Sequence, residues 1–163
     1  MMAKRSSNNT TFMHLSMLGG VLLTLLPWSP TLALLQPHWA AMMIAYWSLN
    51  AANSRVMYVA FAYGLLLDVL MGALLGKHGM SLVALSFLVT KSAKKLRMTS
   101  FWQLLMMVLV WLFNDIVIRA AIDWVSYRYQ PELIDLLPLL TAALIWPWLK
   151  YLMDRTQTSM RLS

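Results

Sequence analysis

The chain has 163 residues, of which 60 % are apolar and only 12 % charged, with no cysteine and a net charge of +7. Soluble domains carry about 25 % charged residues, so this is the composition of a chain dissolved in lipid; the lack of cysteine excludes disulfides and thiolate metal sites. Nucleic acid is not the implied partner, because Lys and Arg flank apolar runs instead of forming a stripe, as topology signals do.

Six apolar runs fill the sequence in order. The first, 12–26, stops at Pro27, and no small-residue cleavage site follows it, so it reads as a retained span and not a removed signal. The second, 38–52, is opened by Pro37. Each is about 15 residues, or roughly 22 Å of helix, short against a hydrocarbon core of about 30 Å. The apolar connector between them, with Trp28 and Trp39 at headgroup depth, allows the pair to form a shallow hairpin. The third run is 56–75, the fourth 79–91, the fifth 101–124 and the sixth 136–152. Pro138 opens the sixth, and Trp146-Pro147-Trp148 interrupts it with an expected kink unless neighbours satisfy the freed carbonyl. The fold class expected is an all-α membrane protein, one integral domain over 1–163, whose short connectors leave no soluble domain to hold an aqueous active site.

Orientation follows from the basic residues. With the N-terminus inside and six crossings, ten of the 13 Lys and Arg fall inside: Lys4, Arg5, Arg55, Lys91, Lys94, Lys95, Arg97, Lys150, Arg155 and Arg161. Lys77 and Arg128 fall outside, and Arg119 lies within the fifth run. Both termini are then cytoplasmic. The Lys91, Lys94, Lys95 and Arg97 loop is the strongest anchor and attracts anionic lipid at about 1 kcal/mol per basic residue. No internal repeat is evident, which weakens a reading as an inverted-repeat transporter.

Ionisable residues in apolar runs are functional hypotheses by default, since leaving one there costs at least ~2.5–3.5 kcal/mol. Asp68 lies ~18 Å from the inner face and Asp115 ~21 Å, so they share a depth beyond the midplane. Asp115, Arg119 and Asp123 follow at steps of four on one helix face, where Arg119 can pair with either acid, and Asn114 adds an amide. Three readings of this polar cluster stay open: a self-neutralised helix end near the outer headgroups, a polar patch facing a partner or cavity, or a proton or ion relay. Nothing in its own helix neutralises Asp68, so it is either protonated by desolvation or bonded to another helix, with Arg119 the first candidate partner. Gly64, Asp68, Gly72 and Gly76 form a small-xxx-small stripe that suits close helix approach. That face serves either packing within the bundle or another protein.

Other patterns fail. Gly72 to His78 has the outline of a phosphate-binding loop, but three residues intervene where four are needed and His78 stands in place of Ser or Thr. His14, His38 and His78 do not share one side of the membrane under this topology, so they make no common metal site. No nucleophile–base pair has an obvious dry cavity. The 14 methionines are most simply adaptable packing, and the tryptophans mostly interfacial, with Trp102 inside and Trp28, Trp39 and Trp124 outside.

Five strings, in this order and spacing, resemble the rod shape-determining protein MreD family in its short proteobacterial form, over nearly the whole chain. They are Leu26-Pro27-Trp28; Pro37-His38-Trp39 running on to Tyr46-Trp47; Gly64-Leu-Leu-Leu-Asp68-Val-Leu-Met-Gly72-Ala-Leu-Leu-Gly76; Asp115-Ile-Val-Ile; and Trp146-Pro147-Trp148. Met71 stands where the family often has Ser, and Lys77 and His78 match no family role. The resemblance implies a non-enzymatic inner-membrane component of the cell-elongation complex, without a cofactor. It would bind MreC, a single-span protein with a periplasmic domain, and act with MreB, RodA and a penicillin-binding transpeptidase in oriented peptidoglycan synthesis and rod shape. The implied fold is similar to the substrate-binding components of energy-coupling vitamin transporters, a six-helix bundle. The partner span would pack on the Gly64 to Gly76 face, and cytoplasmic or lipid contacts would fall on the Lys91 to Arg97 loop; a homodimer stays open. The leading rival is a small-solute carrier with a polar pocket around Asp68, Asp115 and Arg119. An enzyme acting on lipid-linked substrate would need outer basic clamps, and only Lys77 and Arg128 are available.

Overall fold

The computed structural model describes residues 2–51, 55–96, 99–127 and 132–162. Among these the chain is helical, without strands. The helices are α1 (Met2–Leu25), α2 (Pro30–Ala33), α3 (Trp39–Ala51), α4 (Arg55–Met71), α5 (Lys77–Leu96), α6 (Phe101–Tyr127) and α7 (Leu137–Leu162), with a 3-10 turn at Leu133–Leu136 before α7.

Prolines set the early boundaries. Pro30 occupies the first turn of α2, where its missing N–H costs nothing, and Ala33 N–H closes that turn on the Ser29 carbonyl at 2.8 Å. Pro37 precedes α3, and the His38 carbonyl accepts from Met42 N–H at 3.1 Å, so His38 stands at the N-cap of α3. The connector is fastened to α1 by Gln36, whose Nε2 donates to the Leu23 carbonyl at 2.9 Å. Pro147 lies inside α7, which continues on both sides of it from Leu137 to Leu162.

The short α3 is the central element of the bundle. Eight of its 13 residues are buried, including Ala41, Ile44, Tyr46 and Trp47. Helices α1, α4, α5, α6 and α7 all pack on it. Alanines at Ala40, Ala41 and Ala45 let neighbours approach from several sides. Trp47 donates to Ser16 Oγ of α1 at 2.8 Å, and Ser48 bonds Ser86 of α5 at 2.9 Å in full burial. Helix α1 spans 24 residues, and its apolar part, Thr10–Leu25, lies close to the expected run 12–26.

The outer helices turn apolar side chains outward. On α6, Trp102, Met106, Val110, Phe113, Val117 and Trp124 are exposed at helical spacing, and on α7 so are Leu140, Leu144, Trp148 and Tyr151. Such continuous apolar surface belongs to lipid or partner contact, not to water. Two segments, Phe101–Ser126 and Leu133–Thr158, are long and apolar enough to cross a bilayer by length and composition.

The glycine stripe does not run along one helix as the sequence suggests. Helix α4 ends at Met71, not at residue 75. Gly72 takes φ +62°, Ala73 N–H donates to the Asp68 carbonyl at 2.9 Å, and Gly72 N–H to the Val69 carbonyl at 3.4 Å. That pair of bonds is a Schellman motif with its left-handed residue at Gly72. Gly76, at φ +98°, closes the following turn. Neither glycine has a neighbour within 4 Å of a hypothetical Cβ, so they serve backbone geometry and not helix contact. Of the stripe's three glycines, Gly64 alone is a packing glycine: a Cβ there would lie 2.5 Å from Gly79 Cα of α5.

Candidate functional site: a buried polar network joining four segments

The turn after α4 brings Asp68 over the start of α5. Its Oδ2 accepts from Gly76 N–H at 2.8 Å and from Gly79 N–H at 3.4 Å, and its Oδ1 from His78 N–H at 2.9 Å. These are amides of the N-cap residue and first turn of α5, which have no partners within that helix. A carboxylate from α4 therefore caps α5 and meets the positive end of its macrodipole. His78 Nδ1 adds a fourth donor, at 2.8 Å from Oδ1. Asp68 is only 1 % exposed. Arg119, the partner expected from the sequence, lies elsewhere, and the acid is saturated by the turn it caps.

Arg119 pairs within its own helix. Its Nε and Nη2 reach Asp115 Oδ2 at 3.1 and 3.0 Å, the i, i+4 geometry expected on α6. The same oxygen accepts from His38 Nδ1 at 2.9 Å. Asp115 is fully buried. The His38 and His78 rings meet edge to face, centroids 5.5 Å apart. The result is a chain of contacts from α4 through α5 and the N-cap of α3 to α6. Asp123, one turn beyond Arg119, is held by Lys77 Nζ at 2.7 Å. Lys77 and His78, the two residues with no family role in the sequence, thus supply partners for Asp123 and Asp68. Asn114 is half-buried and takes no part.

Two buried atoms of the network, His38 Nε2 and Asp115 Oδ1, have no protein partner. The space beside them measures about 10 Å³ and is bounded by Leu112, Pro138, Leu139 and Ala142. That is about the room one water needs, well below the 300 Å³ or more of a ligand pocket. A separate open hollow of about 310 Å³ is lined by Arg119, Asp123 and Asp135, but not by Asp68 or Asp115. Asp68 lines neither space, so the three residues named for a carrier pocket share neither of them.

Toward the other end, Tyr46 Oη donates to Asp154 Oδ1 at 2.7 Å and Lys150 Nζ reaches Asp154 Oδ2 at 2.6 Å. The expected basic loop is the last part of α5: Lys91 and Lys95 are exposed on that helix, where cations suit its C-terminal end. Arg97 and the Lys94 side chain lie outside the described residues, as does Arg128. Trp146 is buried against the core while Trp148 is 74 % exposed, so Pro147 separates an inward from an outward indole.

The sequence could have exposed the His78 link, since an acid four residues before a C-terminal glycine and a histidine two residues after the next glycine can meet across one turn. His38 carried no such signal, because it lies 77 residues from Asp115 and only the packing of α3 on α6 joins them.

A family model described as rod shape-determining protein MreD matches residues 5–156, which include every residue of the network. A curated relative, the rod shape-determining protein MreD of Haemophilus influenzae, is 27 % identical over 143 residues, or 86 % of each chain. No solved structure matches. The extent of the family match, over an all-helical chain with two helices apolar enough to cross a bilayer, means that the chain belongs to the membrane family of rod shape-determining protein MreD.

Proposed function

We propose that this protein works by contact and not by catalysis, as the multi-pass inner-membrane component of a bacterial wall-elongation assembly. The observation that carries this reading is the disposition of polarity. The acids Asp68, Asp115 and Asp123 are each engaged by groups of the protein itself, whereas the outward faces of α6 and α7 are apolar. Internal satisfaction fixes helix positions, and apolar outward faces suit neighbouring transmembrane helices.

In this reading α1, α3, α4, α5, α6 and α7 cross the membrane, with both termini cytoplasmic and the Asp68–Asp115 network toward the periplasm. The excess of Lys and Arg at the other end follows the positive-inside rule. The partner is an MreC-like single-span protein. Through it the bundle helps couple an MreB cytoskeleton to the RodA glycosyltransferase and a penicillin-binding transpeptidase, and so supports side-wall peptidoglycan synthesis and rod shape. Anionic lipid meets the basic inner rim, and a homodimer is compatible with the apolar faces.

Co-purification from detergent tests the reading directly. The expected result is a stoichiometric single-span partner retained with the protein, and rod shape restored when the gene is returned to a deficient cell. A monomer that restores shape yet retains no such partner would overturn it.

A further inference from the structure

Helices α4 and α5 are closest at Gly64 and Gly79, where backbone meets backbone. Away from the capped turn they leave a groove of about 670 Å³, lined by Met57, Tyr58 and Phe61 of α4 and by Val83, Phe87, Thr90 and Lys91 of α5. Its walls are apolar apart from the rim, and Tyr58, Phe61 and Phe87 are exposed along it. One charge overhangs it: Lys91 Nζ lies 5.9 Å above the centre of the Phe87 ring one turn earlier, which holds the ammonium over the groove. No described carboxylate pairs with Lys91, whereas Lys150, toward the same end, is bonded to Asp154.

We infer that this groove binds an anionic phospholipid, its acyl chain between α4 and α5 and its phosphate on Lys91. Charge complementarity selects this occupant. An apolar helix seated here would cover the ammonium without giving it a counter-charge, in surroundings of low dielectric. A phosphate on a two-chain lipid supplies the counter-charge at the headgroup level to which a lysine reaches from the hydrocarbon, and an acyl chain fills the apolar remainder. The proposal rests on lipid immersion of the bundle and is independent of the partner's identity.

The test is native mass spectrometry of the full-length protein taken from vesicles of equal phosphatidylglycerol and phosphatidylcholine. The wild type is expected to retain phosphatidylglycerol preferentially. Lys91→Gln should lower that preference roughly fivefold, the worth of one basic residue near an anionic surface, while Lys95→Gln, on the basic rim but outside the groove, should lower it by a smaller factor. Val83→Trp and, separately, Met57→Trp should fill the groove and reduce retention of both lipids, without affecting the single-span partner. Equal retention of the two lipids by the wild type would overturn the site, as would an equal effect of Lys95→Gln. So would groove-filling variants that keep their lipid but lose the partner, which would assign the groove to a helix.

Discussion

At the scale of single residues, glycines and acids that look alike in sequence have different work. Gly64 and Gly79 face each other, yet their tolerance for a methyl group differs. A Cβ on Gly64 would stand 2.5 Å from backbone atoms of Gly79, while the nearest atoms to one on Gly79 would be Leu65 and Phe61 side chains at 3.5 Å. Gly64→Ala is therefore expected to lower stability by at least ~1–3 kcal/mol, the cost of overpacking, and Gly79→Ala to change it little; thermal unfolding in detergent distinguishes the two. Asp68 accepts from three amides and one imidazole. Its replacement by Ala strands those donors in the bundle, so a loss of about 3–5 kcal/mol is expected, as for breaking a buried pair. Shape, expression and partner retention in Asp68→Ala cells should all fail together; loss of partner with unchanged thermal stability would instead make Asp68 a contact residue.

At the scale of elements, the polar network sets where helices begin and end and how they register. Helix α4 stops because Gly72 adopts a left-handed conformation that L-residues disfavour by roughly 1–2 kcal/mol. Since the space around Gly72 is open, Gly72→Ala is expected to cost about that strain and no packing energy, read as a small fall in Tm. Across α6, the Arg119–Asp115 pair and the Lys77–Asp123 pair invite comparison. Asp115 is buried and shares its oxygen with Arg119 and His38, while both partners of the second pair are partly exposed. Arg119→Ala should therefore destabilise by about 3–5 kcal/mol and Lys77→Ala by less than about 1 kcal/mol, again by thermal unfolding. Helix identity was legible from apolar run length, and α6 begins at the expected Phe101. The ends of α4 and α5 were not: a run of small and apolar residues through Gly72 to Gly76 reads equally as helix or turn until hydrogen bonds choose.

At the scale of the whole molecule, the chain offers a direct test of which end faces the cytosol. It has no cysteine, so single cysteines at Lys95 and at Leu133, which is 87 % exposed, can be labelled selectively. An impermeant maleimide applied to cells whose outer membrane has been opened should modify Leu133→Cys and leave Lys95→Cys unmodified until the inner membrane is opened; the reverse pattern would invert the proposed topology. Sequence alone determined that the chain is helical and lipid-compatible, because apolar run length and charge placement are one-dimensional properties read without knowing who touches whom. It also carried the family, through ordered strings from Leu26 to Trp148. Only the tertiary structure decided that the short α3 is the centre of the bundle, that Asp68 caps α5, and that His38 joins Asp115 across 77 residues. The reason is physical: a buried charge is settled by whichever donors the packing brings within 3 Å, and sequence spacing specifies such neighbours only within a helix or a single turn.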